Sequence, residues 1–355
     1  MEEKVEPVYG SHKLPLEEHL EFFYYMRRRK GGKPQSEADN DQGAPGYLGK
    51  HLFHPEIITQ ARCRYNLSEM EIIPGPEWET LLNTTLKVKG AVMIMGTTDS
   101  GKTTLARYLI KHLLSEGIKV SLVDTDVGQT SLGLPGTISM KVFPSPEDLE
   151  DFMPDRMFFV GVVNPATAIP LIIRTAGTAV GKCREKSDIV LMDTSGLVSG
   201  RIGEVLKTGK IRAVRPEHII AVQREDEIEH ILKLAGDIDI SRVVASGTVK
   251  KRDTGKRIRY REKKYESYFR EVQQAEYLVD LRDTGPFYKG RELSPGRSGF
   301  PKGNVIGLNR GDETLALGLL TEIGEDRVTF KSPLGSLKGI NRIVFGDISY
   351  TAPSA

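Results

Sequence analysis

From Lys89 onward, short apolar runs alternate with apolar residues at helical spacing. Ala91 to Met95 is an unbroken apolar run, the pattern of a strand buried on both faces. Leu105, Ala106, Leu109, Ile110, Leu113 and Leu114 then recur every three or four residues, which predicts an amphipathic helix with Gly117 as its C-cap. Further strands are predicted over Lys119–Asp124, Met157–Val163, Asp188–Asp193, His218–Gln223 and Arg242–Ser246, with helical stretches between most of them. This alternation predicts an α/β fold, a mainly parallel sheet flanked by helices. After about Tyr268 the texture changes. Tyr277–Leu281, Asn304–Leu308, Thr314–Leu320, Arg327–Lys331 and Ile340–Ile348 read as strands joined by Gly- and Asp-rich turns, hence a smaller C-terminal β domain.

The first part of the chain is different. Leu16–Arg29 predicts one amphipathic helix ending in the basic run Arg27–Lys30, and Gly31–Gly49 has the composition of a linker. Residues 52–86 carry no clear period. The expected organisation is 1–50, helix and linker; 51–88, a small segment packing on the core; 89–267, the α/β domain; 268–355, the β domain.

Composition narrows the class. The chain has 355 residues, 39% hydrophobic and 28% charged, with a formal net charge of +2, as expected of a soluble globular protein. No apolar run approaches the ~18 residues of a membrane span, and the acidic start Met1–Lys4 has no apolar signal core. Cys63 and Cys183 form no CxxC pair, so no zinc or redox motif is expected. The expectation is a cytoplasmic protein with no membrane partner.

Between the first strand and the first helix lies Gly96-Thr97-Thr98-Asp99-Ser100-Gly101-Lys102-Thr103, followed by Thr104. This is GxxxxGK[ST], a phosphate cradle (P-loop). Its backbone N–H groups wrap an anion, Lys102 adds a point charge and the Thr103 hydroxyl is placed for Mg²⁺. The fold class is accordingly a P-loop NTPase domain plus a smaller C-terminal β domain. Asp124 and Asp126 close the second strand and Asp193 ends Ile189–Asp193, so all three fall at the carboxyl ends of strands, where ligands bind in such sheets. Asp193 is a candidate Mg²⁺ partner with Thr103. Of Asp124 and Asp126, one is a candidate Mg²⁺ partner or orienter of a nucleophile and the other a candidate proton acceptor, with the choice open at this point. Thr194 and Gly196 add candidate donors to the nucleotide. No Asn-Lys-x-Asp sequence follows, which disfavours guanine recognition. Gln223 and Arg224 stand at a later strand end, where a base contact and a plain helix-start role are both open.

Local charge departs sharply from the global value. Lys250–Lys264 carries nine basic residues against Asp253 and Glu262, a local net charge of +7, with Tyr260, Tyr265, Tyr268 and Phe269 interleaved or following. Such a segment suits phosphate contacts and base stacking on a single strand, or a lid that brings an arginine to a phosphoryl group.

The ordered blocks Asp99-Ser100-Gly101-Lys102-Thr103-Thr104-Leu105, Asp126-Val127-Gly128-Gln129, Leu134-Pro135-Gly136-Thr137 and Asp193 to Gly200 resemble the polynucleotide 5′-hydroxyl kinases. That family includes the RNA kinase subunit of the pre-mRNA 3′-cleavage complex, the nucleolar pre-rRNA kinase and archaeal relatives. The resemblance runs from about Val92 to the C-terminus. It implies ATP and Mg²⁺ as cofactors and single-stranded RNA or DNA with a 5′-hydroxyl end as partner, with RNA-processing proteins as further partners. It implies Asp126 as general base, Lys102 and Thr103 on the phosphates and metal, and Thr194 and Gly196 in a clasp around the γ-phosphate. Arg257 and Arg261 would be lid arginines, with Arg252 in reserve. Leu197 stands where family members often carry a base-stacking Trp. Two other readings stay open: a non-catalytic ATP-bound scaffold in an RNA-processing complex, and a P-loop ATPase or GTPase switch.

Overall fold

The computed structural model describes residues 72–149, 152–245, 252–270, 275–294 and 299–351, all within the compact unit His54–Ala355. The expected helix over Leu16–Arg29, the linker after it and Cys63 lie outside the described residues.

A short helix α1 (Trp78–Thr85) leads into β1 (Gly90–Gly96), then α2 (Lys102–Ser115), β2 (Val120–Asp124), β3 (Thr137–Phe143) and β4 (Arg156–Phe159). Next come α3 (Ile169–Arg184), β5 (Ile189–Asp193), α4 (Gly200–Val214), β6 (His218–Gln223), the single turn α5 (Glu229–Leu232) and β7 (Asp239–Val244). The parallel strands run β7-β6-β1-β5-β2, and β3 and β4 extend them antiparallel. Side chains alternate along β1 as a pleat requires. Ala91, Met93 and Met95 join the core under α3, α4 and α5, while Val92 and Ile94 join the core under α1 and α2. Helix α2 ends as its sequence predicts: Ile118 N–H bonds Leu113 O at 3.1 Å and Gly117 N–H bonds Leu114 O at 3.0 Å, a Schellman closure.

Strand β3 was not expected. Its sequence, Thr-Ile-Ser-Met-Lys-Val-Phe, alternates as if half-exposed, yet six of its seven residues are buried. The polar ones are satisfied internally: Thr137 and Ser139 share a hydroxyl–hydroxyl bond of 2.9 Å. Insertion of β3 places β4 parallel to β2 and carries its carboxyl end to the same side of the sheet.

The basic segment is helix α6 (Thr254–Arg270). Beyond it lie β8 (Ala275–Asp280), β9 (Gly285–Tyr288), β10 (Arg291–Glu292), β11 (Asn304–Arg310), β12 (Glu313–Ile323), β13 (Arg327–Ser332) and β14 (Arg342–Ser349). These strands have their own core, with Phe330, Phe345, Ile306 and Leu308 at its centre. They also continue the first sheet, because β12 pairs with β4 through Thr314 and Met157. The Thr314 hydroxyl secures that joint: it accepts from Phe159 N–H at 2.7 Å and donates to Asn309 Oδ1 at 2.9 Å. Among the described residues, no helix is long and apolar enough to cross a membrane.

Candidate nucleotide site and lid

Strand β1 ends at Gly96 and α2 begins at Lys102, so the cradle Gly96–Thr103 forms the strand-to-helix turn at the carboxyl edge of the sheet. Lys102 is buried, and its Nζ donates to Thr97 O at 2.6 Å and to Ser100 Oγ at 3.4 Å, which folds the loop around its own ammonium. Burial pushes the Lys102 amine below its usual range, while Asp193, Asp126 and Asp99 act in the opposite direction. Asp99 sits at φ 54°, unusual for a residue with a side chain. Three basic residues hold it there. Arg257 forms a 2.8 Å ion pair with its carboxylate, Arg252 N–H donates to the same oxygen at 2.9 Å, and Arg224 bonds its carbonyl at 3.2 Å.

The three acids at the strand ends have different surroundings. In the β2–β5 pair Asp124 lies directly opposite Asp193. Asp124 is fully engaged by the loop after it: Oδ1 accepts from Asp126 N–H, and Oδ2 from Thr130 Oγ1, Ser131 N–H, Ser131 Oγ and Leu132 N–H, at 2.6 to 3.2 Å. Burial raises its pKa and the neighbouring Asp126 adds to this, against those backbone donors. Asp193 accepts from the Thr103 hydroxyl at 2.6 Å through Oδ2, whereas its buried Oδ1 has no partner. Burial pushes the Asp193 carboxyl up to about 6, with Asp124 acting in the same direction and Lys102 against it. Asp126 uses Oδ1 to accept from Gly128 N–H and Gln129 N–H, both at 3.0 Å, and its other oxygen takes no hydrogen bond from the described residues. One oxygen is therefore anchored and the other is open.

Loop 194–200 leads from β5 into α4 and lies against the cradle. Thr194 Oγ1 donates to Ile94 O at 2.8 Å. At Gly196 a Cβ would fall 2.2 Å from Thr98 Oγ1 and 2.4 Å from Thr98 Cα and N. No side chain fits without displacing the cradle backbone. Gly196→Ala is therefore expected to weaken ATP binding by about 10- to 10²-fold, since a displaced cradle amide loses a hydrogen bond to a charged phosphate worth about 1.5–3 kcal/mol; calorimetric titration with ATP measures it. Leu197 is half-buried and packs on the core beneath the sheet. Gln223 is committed to its own loop, donating to Glu229 Oε1 at 2.7 Å and accepting from Ile228 N–H at 3.4 Å.

Helix α6 lies along the loop that follows Asp126. Tyr260 OH donates to Thr130 O at 2.8 Å, Lys264 Nζ to Gly133 O at 2.8 Å and Tyr265 OH to Pro135 O at 2.7 Å. Its far end is braced by the C-terminal strands. Leu317 N–H donates to Tyr268 OH at 2.9 Å, and Phe269, Tyr265 and Tyr350 form a cluster of mutually touching rings. The expectation that these aromatics are free to stack on bases fails for Tyr265 and Phe269. They share the apolar face of α6 and are only 3% exposed, because that face is what docks the helix. The opposite face keeps the charge, with Arg259 and Lys263 exposed; Arg261, one turn before Tyr265 on the docking side, is partly buried and makes no ion pair with the described residues. Lys250 and Lys251 lie outside the described residues.

Two site residues were missed in the sequence. Lys207 and Lys210, on the inner face of α4, are completely buried. Lys207 Nζ donates to Thr194 Oγ1 at 2.7 Å and Ser195 O at 2.5 Å; Lys210 Nζ donates to Thr125 Oγ1 at 2.8 Å and Thr125 O at 3.3 Å. Burial pushes the Lys210 amine down to about 8, opposed by Asp126, Asp124 and Asp193. Lys207 falls well below its usual range, first through burial and then through Lys210 and Lys102. The signal in the sequence was two lysines three apart inside the apolar stripe Leu206, Ile211 and Val214.

A phosphate cradle, an acid-ended strand beside it and a parallel sheet beneath define a P-loop nucleotide-binding protein. Residues 96–271 match the family model described as mRNA cleavage and polyadenylation factor CLP1 P-loop. The chain is 35% identical over 214 residues to a polyribonucleotide 5′-hydroxyl-kinase of Pyrococcus horikoshii, covering 59% of each chain. It is 40% identical over 144 residues to the polyribonucleotide 5′-hydroxyl-kinase of Methanocaldococcus jannaschii, covering 40% of this chain and 39% of that one. The matches thus span about three-fifths or less of these relatives' length. Among solved structures, Clp1p from an interface study with Pcf11p superposes with a TM-score of 0.60 at 13% identity, over 77% of this chain and 79% of that one, a likeness of fold.

Proposed function

We propose that the chain is an ATP-dependent polynucleotide 5′-hydroxyl kinase, and that Asp126 is its general base. The observation that carries this is the Asp126 carboxylate. One oxygen is fixed by the amides of Gly128 and Gln129, the other is open beside the cradle, and a basic helix covers the same loop. The likeness to archaeal proteins named as polyribonucleotide 5′-hydroxyl-kinases supports this reading and favours RNA as acceptor.

In the transfer the 5′-hydroxyl gives its proton to Asp126 as its oxygen bonds the γ-phosphorus. The bond from that phosphorus to the β–γ bridging oxygen breaks in line, and ADP leaves. Lys102 neutralises charge on the β- and γ-phosphates, and Thr194 with the Gly196 loop closes the γ-phosphate side. The Thr103 hydroxyl and the unpartnered Oδ1 of Asp193 are hard oxygen donors that fit Mg²⁺. Mg²⁺ there would offset the charge on the phosphate oxygens. Asp124, with both oxygens occupied, organises the loop that carries Asp126. Arg261 is the lid arginine with its charge uncommitted; Arg257 must leave Asp99 before it reaches a phosphate.

The test is transfer from γ-labelled ATP to matched RNA and DNA oligonucleotides ending in a 5′-hydroxyl. Label on the oligonucleotide end is expected, with RNA preferred. A protein that holds ATP but labels neither oligonucleotide overturns the reading.

A further inference from the structure

The carboxyl ends of β1, β5 and β2 are tied together below the cradle by threonine hydroxyls. Thr194 Oγ1 bridges from the end of β5 to Ile94 O of β1. Thr125, just past β2, donates both its N–H and its hydroxyl to Asp193 O, at 3.0 and 2.8 Å. Each hydroxyl thus spends its proton on a neighbouring strand and presents lone pairs to the interior. Lys207 and Lys210 fill those two acceptor positions. Neither lysine forms an ion pair within 4.0 Å with a described residue, so each is a buried ammonium served only by neutral oxygens. Burying a charge in this way opposes folding. A packing role would be better filled by an apolar side chain of the same length.

What the lysines touch suggests the reason. Lys207 holds the two residues immediately before Gly196, whose backbone lies against Thr98 of the cradle. Lys210 holds the residue immediately before Asp126. Glycines allow this reach: Gly203 packs on the Val198 backbone and Gly209 on Ile173. We propose that the two lysines are positioning residues with separate tasks. Lys207 sets the clasp against the cradle for the phosphate donor, and Lys210 sets the base for the acceptor. The proposal rests on the kinase reading above.

The test uses the full chain carrying Lys207→Met or Lys210→Met. Methionine keeps the length of the stem and removes the charge, and both threonines keep the strand to which they donate. Both variants are expected to stay folded and to melt near the wild-type temperature, since removing a buried charge offsets the donor lost by the threonine and carbonyl oxygens. Lys207→Met is expected to weaken binding of a fluorescent ATP analogue about tenfold or more and to raise the KM for ATP in step. Lys210→Met is expected to bind that analogue like wild type and to lose on the order of 100-fold in kcat. Thr125→Ser keeps the acceptor and should keep kcat within about threefold of wild type. A fall in melting temperature with lost activity that only tracks lost folded protein would assign both lysines to structure and overturn the proposal. So would wild-type kcat, KM and nucleotide binding in both variants. A wild-type protein that phosphorylates no 5′-hydroxyl end is a different failure: it overturns the kinase reading and the Lys210 half, while nucleotide binding still decides the Lys207 half.

Discussion

Asp126→Asn is expected to lower phosphoryl transfer to a 5′-hydroxyl oligonucleotide by about 10³-fold, within the range attributed to a positioned general base. The amide keeps the shape of the carboxylate and one oxygen to accept from Gly128 and Gln129. The loop should hold its place, and ATP affinity should stay near the wild-type value. What disappears is the open oxygen's ability to take a proton. Single-turnover transfer isolates the chemical step, and titration of the same variant with ATP shows whether the cradle is intact. Transfer at the wild-type rate would remove Asp126 as base and return attention to the nearby carboxylates. Asp193 would then be the first to test, because Asp124 has no oxygen to spare.

Lys102→Met is expected to cost at least about 10³-fold in kcat/KM for ATP, more than one neutral donor to a transition-state oxyanion is worth. The ammonium has two tasks here. It closes the loop through Thr97 O, and it is the cation aimed at the phosphates. Methionine preserves the buried stem and removes both. Lys102→Arg should not restore activity. The residue is 7% exposed, and a planar fork needs more room than a point charge. Rescue by arginine would mean that charge alone, without closure of the loop, suffices at this position.

The parts of the fold that could be read from sequence were those whose pattern is local. A strand buried on both faces reads as an apolar run, and a helix packed on one face reads as a 3.6-residue period; β1 and α2 follow both patterns closely. The cradle and the acid-ended strands were legible because their chemistry is set by residues adjacent in the chain. What escaped depends on partners distant in sequence. Strand β3 looks amphipathic, but it lies inside the sheet between β2 and β4 with six of its seven residues buried. Tyr265 and Phe269 looked like stacking platforms beside a basic run, yet Pro135 and Tyr350 claim them. Lys207 and Lys210 carry no local motif, and only the threonines that accept from them at two strand ends, 13 and 85 positions away in the chain, reveal their place.

The single joint between β12 and β4 bears on how this chain can be cut. If the chain were shortened after α6, β4 would present an unpaired row of N–H and C=O groups, the kind of free edge on which other strands add and aggregates grow. The same cut would remove Leu317 and Tyr350, which brace the far end of α6. The C-terminal strands therefore act as the seal on an otherwise adhesive border as well as the mount for the basic helix. A shortened protein is expected to be lost to self-association before any loss in chemistry can be seen.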